Sequence, residues 1–378
     1  MNDTCAIVYA GHGNLLLGDL IAHRAVSALP MAGRYRTIDV LLSNISQSGI
    51  RDVGVIMQRN FQSLVEHIGS GDAWDLNSKR GGVALLTPFD QGLATDVYHG
   101  FADALLAKRY YLNRQNDKYC LLLGGDMVYR QDYNELLEHH KEVGADITLL
   151  CTRELRLDTG DPTHFANMSI NEDGWVTGAE FGPANEEGGC YNLGAWIMEK
   201  DLLIKLVEDA CAEGRYDFVL DIIEPALSKY KVAALEHTGY ARCLTTMKSY
   251  FDMTRDMLDP DVRDELFFVN GPVYTRVMDA PPVRYSRGCV VENSAFGNGC
   301  EVRGRVVGSV VFRGVSIAAG ADVENCVIMQ DSQIGEGAFL RNVIIDKDVV
   351  VEPGARVVGT PDAPAVVRKG SIVEGNAK

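Results

Sequence analysis

The sequence predicts an α/β domain built on a mostly parallel sheet, then an extended connector, then a C-terminal parallel β-helix. Three observations carry this prediction. Residues 1–258 alternate short apolar strands with helical patterns, which implies crossover connections. Residues 259–287 are punctuated by Pro260, Pro272, Pro281 and Pro282, which forbid a continuous helix. Across residues 288–378 an aliphatic or aromatic residue recurs every five or six positions. A chain of 378 residues exceeds one ordinary core and suits two domains.

The first run, residues 5–9, is an apolar strand stopped by Gly11. Residues 39–47 read as a helix, because apolar side chains recur at Ile38, Leu41, Leu42 and Ile45. A strand over 53–57 and a helix over 62–68 follow. A helix over 101–112 leads to a strand over 119–123, and a helix over 134–143 to a strand over 146–152. In such sheets, ligands bind beyond the carboxyl ends of the strands. Here those ends are Gly11, Gln58 and Gly124-Gly125-Asp126. In the last third the repeating positions run Val291, Phe296, Val302, Val307, Phe312, Ile317 and onward to Val357. Turn residues such as Gly297-Asn298-Gly299 and Pro353-Gly354 fill the gaps. Each short strand turns a corner and stacks under the next coil, with its aliphatic residue inward.

Composition narrows the function. The formal net charge is -16, from 36 basic and 52 acidic residues. A nucleic-acid surface needs Lys and Arg to displace counterions, so nucleic acid is excluded as a partner. No stretch approaches the roughly 20 apolar residues of a membrane span. Met1-Asn2-Asp3-Thr4 lacks the basic start of a signal peptide. The nine cysteines include no CxxC pair and read as reduced core thiols. A cytoplasmic protein is expected.

Several segments carry a resemblance. They are Gly33-Arg34-Tyr35-Arg36-Thr37-Ile38-Asp39 with Leu42-Ser43-Asn44, and Gly54-Val55-Ile56 with Gln58. Further on come Gly100 to Ala104, Gly125-Asp126 with Tyr129 and Asp132-Tyr133, and Asp217-Phe218 with Asp221 and Pro225. Together they resemble the ADP-glucose pyrophosphorylases (glucose-1-phosphate adenylyltransferases), across nearly the whole chain. The resemblance implies a Rossmann-like nucleotidyltransferase domain and a left-handed β-helix of hexapeptide repeats. It implies the joining of ATP to glucose-1-phosphate, giving ADP-glucose and pyrophosphate for glycogen biosynthesis. It assigns Gly11, Gln58, Gly125 and Asp126 to the nucleotide, and Glu180, Asn192 and Asp217 to the sugar phosphate. Mg²⁺ is the implied cofactor, with Asp126 as its residual ligand.

That chemistry builds charge on phosphate oxygens, so it needs cations. The sequence departs from the family at those positions. The phosphate loop reads Gly11-His12-Gly13-Asn14-Leu15-Leu16-Leu17, with Leu16 where the family has Arg. Val26 replaces a Lys, Cys243 replaces the second metal-binding Asp, and Phe181 replaces the Lys that grips the sugar phosphate. A scaffold kept without its cations resembles the GlgD-type regulatory subunit. This implies a GlgC-type catalytic partner and a heterotetramer. Two alternatives stand beside it. One is a free-standing sugar-phosphate nucleotidyltransferase in which Arg24 serves as a phosphate donor. The other is a non-enzymatic sugar or nucleotide sensor or scaffold.

Other features weigh less. Arg34 and Arg36 match basic positions that in the family serve an effector site between the domains; the plainer reading pairs them with Asp39 or Asp52. His139 and His140 are adjacent on a predicted helix, point to different faces, and read as a solvated face. Residues 288–378 contain no His, which argues against a hexapeptide acyltransferase.

Overall fold

The computed structural model describes residues 3–11, 16–78, 81–88, 98–154, 166–182 and 189–375. The N-terminal sheet contains β1 (Thr4–Tyr9), β2 (Asp52–Ile56), β3 (Gly82–Leu86), β4 (Tyr119–Gly124) and β5 (Ile147–Thr152). It is completed by β6 (Ala166–Ile170), β7 (Val176–Phe181), β8 (Gly189–Glu199) and β9 (Val232–Glu236). Its order is β7-β6-β8-β4-β1-β2-β3, and β5 bridges β8 and β9. Only β7 and β8 run against the other strands. The parallel strands are buried on both faces, which explains their near-continuous apolar sequences.

Helix Thr37–Gln47 buries Ile38, Leu41, Leu42 and Ile45 as its period predicts. Asp39 stabilises its first turn by accepting the Arg36 backbone N–H at 3.0 Å. The single helix expected over 101–112 is two, Phe101–Ala107 and Arg109–Arg114. Lys108 breaks it with φ -105° and ψ 12°, and its Nζ donates to the Thr87 carbonyl at 2.6 Å. The start of the expected extended connector is helical instead. Pro260 occupies the first turn of helix Pro260–Asp264, where its missing N–H is harmless, and Asp259 caps it. From Gly271 to Val283 the chain is irregular. It is tied to the N-terminal domain by Gln47 Nε2 to the Pro272 carbonyl (2.6 Å) and Trp74 Nε1 to the Tyr274 carbonyl (3.1 Å). Arg130 is buried and donates to Asn44, Gln47 and the Asn270 and Gly271 carbonyls in the same seam.

The C-terminal coils form three parallel sheets, with orders that step regularly down the chain. Val302, Ile317, Ile334 and Val351 stack in one sheet, and Val306, Val323 and Leu340 in another. All are buried. At the corners the backbone turns left-handed. Asn293, Asn325 and Asn342 take one corner (φ 39°, 51° and 50°), and Asp331 and Asp348 another. Asn and Asp tolerate that region better than other side chains.

The two domains share a core. Phe312, Val327, Met329 and Ile344 of the β-helix pack with Leu17, Leu20, Val26 and Leu29, and with Tyr250 and Phe251 of helix Met247–Asp256. Inside this apolar seam Arg24 Nη2 meets Asp346 Oδ1 at 2.7 Å, with side chains 5% and 2% exposed. Removing one partner of a buried pair leaves an uncompensated charge. Asp346→Ala is therefore expected to lower stability by about 3–5 kcal/mol in urea unfolding, while Arg24→Met/Asp346→Leu recovers much of the loss.

Candidate functional site

A cavity of about 590 Å³ opens where the topology places ligands, beyond the carboxyl ends of β1 and β4. Gly11, Gln58, Asp126, Asn192 and Asp217 all line it, so the structure brings these sequence-selected residues together. Gly125 and Glu180 do not line it; Gly124 and Phe181 stand there instead. Gly125 packs inward, where Ser27 Oγ donates to its carbonyl at 2.8 Å. Glu180 is exposed on β7. Residues 12–15 of the phosphate loop lie outside the described residues.

The cavity wall is aromatic. Tyr9 stacks on Phe101 at 4.6 Å and 11°. Phe101 meets Phe218 at 5.4 Å, and Phe218 meets Trp196 at 5.8 Å. A methyl group on Gly11 would lie 2.6 Å from the Tyr9 ring, so only glycine fits there. Burial, with Tyr98, Asp103 and Asp126 nearby, raises the Tyr9 phenol above its usual range and keeps it neutral.

Charge in the cavity is mostly negative. Among the described residues no Lys or Arg lines it. His99 is the one cavity-lining side chain among them that gains positive charge on protonation. It bonds Asp103 at 3.0 Å and stacks on Tyr216 at 5.0 Å. Its place directly before the Gly100 block was a signal that sequence reading passed over; Tyr9 was passed over as a plain strand residue.

Strand Ala241–Cys243 pairs antiparallel with Met127–Tyr129, placing Cys243 opposite Met127. The Leu244 N–H donates to the Asp126 carbonyl at 2.9 Å. Burial first, and the Asp126 carboxylate second, push the Cys243 thiol well above its usual range. Among the described residues no group of three or more His, Cys, Asp or Glu side chains forms a metal cluster. Mg²⁺ takes hard oxygen ligands; one carboxylate beside a neutral thiol does not fit it.

The remaining positions lie elsewhere. Leu16 is 42% exposed and makes a bridge to Thr246. Val26 is buried in the interdomain core and does not face the cavity. Arg24 is held by Asp346 in that same seam. Arg34 and Arg36 sit at the domain boundary. The Arg34 carbonyl accepts from Arg313 Nη2 at 3.2 Å, and its guanidinium lies 5.1 Å from the Tyr35 ring. The Arg36 guanidinium donates to the Ser63 carbonyl at 2.5 Å; its backbone, not its side chain, reaches Asp39. Arg51 pairs with Asp75 at 2.8 Å. Lys347 joins this region from the β-helix. Burial, then Arg36 and Arg24, lower its ammonium to about 8. Only the folded chain brings it near Arg36, so no sequence spacing announced it. His140 corrects the solvated-face reading: it is buried and bonds Thr148 Oγ1 at 2.8 Å.

The Cys243 environment yields a test. At pH 8 the native chain is expected to leave Cys243 unalkylated by iodoacetamide, and unfolding is expected to expose it; peptide mass mapping reads both states.

Comparison with known proteins fits this geometry. Residues 6–259 match the nucleotidyl transferase family, and residues 282–373 match the GlmU-like C-terminal hexapeptide family. A glucose-1-phosphate adenylyltransferase of Thermomicrobium roseum is 34% identical over 359 residues, covering 94% of this chain and 83% of the relative. One from Halalkalibacterium halodurans is 33% identical, covering 96% and 95%. One from Clostridium perfringens is 31% identical, covering 98% and 95%. No helix among the described residues is long and apolar enough to cross a membrane. With an α/β sheet domain, a hexapeptide β-helix and relatives matched along nearly its whole length, the chain belongs to the glucose-1-phosphate adenylyltransferase family of nucleotidyl transferases.

Proposed function

We propose that this chain is a GlgD-type modulatory subunit in glycogen biosynthesis, with a degraded catalytic site, acting in a hetero-oligomer with a GlgC-type catalytic chain. The observation that carries the reading is the charge of the cavity. A polyphosphate reaction needs donors aimed at developing negative charge, and no Lys or Arg lines this cavity among the described residues. Asp126 stands beside a neutral thiol, so the Mg²⁺ of the assembled enzyme belongs to the catalytic partner's site. A free-standing enzyme using Arg24 as phosphate donor is disfavoured, because that guanidinium is buried and ion-paired with Asp346.

The test is a pyrophosphorylase assay in both directions. The loss of one preorganised donor lowers rate roughly 10²–10³-fold, and several losses combine without simple addition. The isolated chain is expected to form ADP-glucose at least about 10³-fold more slowly than its catalytic partner. Mixing is expected to change the partner's rate or effector response. Robust turnover by the isolated chain, abolished by Asp126→Asn, would instead establish the free-standing enzyme.

The modulatory role places an anionic effector, such as a sugar phosphate, at the domain boundary with Arg34, Arg36 and Lys347. Lys347 gives this a pH signature. Its ammonium falls from 10.5 to about 8 on folding, so the unfolded chain binds more protons between those values. Stability therefore rises with pH across that window. A bound anion favours the charged lysine and raises its pKa, so binding near pH 8 takes up protons. Calorimetry in buffers of different ionisation enthalpy is expected to show this uptake, and Lys347→Met to abolish it.

A further inference from the structure

We propose that Lys347 is a site of reversible carbamylation: its side-chain nitrogen takes up CO₂ as an N-carboxylate beside Arg24 and Arg36. The proposal goes beyond the modulatory reading and does not depend on it. Lys347 directly follows the acid of the interdomain pair. Asp346 Oδ1 accepts from Arg24 Nη2 at 2.7 Å and from the Lys347 backbone N–H at 2.7 Å, so that oxygen is committed elsewhere. The Gly370 N–H donates to the Lys347 carbonyl at 2.9 Å, which stacks the coil carrying Lys369 on this corner. Lys369 in turn takes Asp348 at 3.9 Å. Among the described residues no carboxylate forms an ion pair with the half-buried Lys347 amine.

The charges around that amine favour an anion. Arg36, Arg24 and Lys369 oppose its positive charge, and Asp346 favours it. The Asp39 and Glu66 carboxylates bear on Arg36. Arg36 Nη1 donates to the Ser63 carbonyl and its guanidinium forms no ion pair among the described residues, which leaves donors for an N-carboxylate. Burial disfavours every charge, ammonium or carboxylate, so burial alone does not choose between them. The neighbouring cations do choose, because they repel an ammonium and attract an N-carboxylate.

Carbamylation starts from the free amine. With its ammonium lowered to about 8, roughly a quarter of Lys347 is free amine at pH 7.5, against roughly one in a thousand for an ordinary lysine. The nitrogen lone pair attacks the carbon of CO₂. An N–C bond forms, one C–O π bond breaks with its electrons going to oxygen, and the nitrogen gives a proton to water. Counted from the ammonium, two protons leave and one positive charge becomes one negative, with no oxidant or reductant. CO₂ is small and uncharged and has no leaving group, which suits a half-buried amine in a packed interface.

The experiment equilibrates the full chain with ¹³C-labelled CO₂ and bicarbonate, traps carbamates as esters with an oxonium alkylating reagent, and places them by peptide mass mapping. At pH 8 the ester is expected on Lys347 at least about tenfold above any other lysine. The chain's α-amino group is the ordinary competitor and maps to a separate peptide. At fixed dissolved CO₂, moving from pH 8 to pH 6 protonates the amine and is expected to lower Lys347 labelling at least about tenfold. Lys347→Arg keeps the cation and is expected to remove one carbamate carbon resonance from the ¹³C spectrum, with an unchanged melting temperature. Arg36→Met keeps the lysine and is expected to lower its labelling severalfold. Labelling of Lys347 no greater than that of other lysines, or a carbamate signal confined to the α-amino group, would overturn the proposal. So would Lys347 labelling indifferent to pH. None of these readouts involves a catalytic partner, so their failure leaves the modulatory reading standing.

Discussion

Arg24 and Asp346 meet at 2.7 Å between the two domains, both nearly inaccessible to solvent. The geometry around them depends on this contact. A guanidinium buried in an apolar seam requires its counter-charge, so the β-helix and the N-terminal domain are held in one register. Leu17, Leu20, Val26 and Leu29 then pack against Phe312, Met329 and Ile344. The same contact settles where positive charge resides. Arg24 follows in sequence on Gly11, which lines the cavity, yet its charge is directed to the domain boundary. Arg36 and Lys347 lie near it there: the Arg24 charge bears on both, and the Arg36 charge on Lys347.

The molecule therefore has two regions of different character. At the domain boundary, partly desolvated cations lie near one another beside the Asp39, Glu66 and Asp346 carboxylates. Beyond the strand ends, aromatic rings and carboxylates surround open space, and among the described residues no Lys or Arg lines it. In a competent nucleotidyl transfer site these roles would coincide in one pocket, because phosphate binding and transition-state stabilisation both need cations. Their separation here is the physical basis of the proposed modulatory role.

Much of this was legible in the sequence because it was periodic. The buried stripe Ile38, Leu41, Leu42 and Ile45 and the β-helix ladder through Ile317 and Ile334 follow from spacing alone. Of the cavity residues, Gly11, Gln58 and Asp126 were legible because strand ends mark the site, and Asn192 and Asp217 through the family resemblance. What could not be read depended on long-range packing. Lys347 reaches the Arg36 region only once the β-helix docks. His140 reads as a surface residue until Thr148 and Tyr119 enclose it. The helical start of the connector was missed for a local reason: Pro260 breaks a helix interior but suits its first turn.

The central claim is that the cavity, as this chain builds it, holds no reactive polyphosphate. Equilibrium binding of ATP to the isolated chain, with and without Mg²⁺, tests it most directly. The account predicts no saturable binding at the cavity, and no strengthening by Mg²⁺. A micromolar Kd that requires Mg²⁺ and is lost in Asp126→Asn would contradict it.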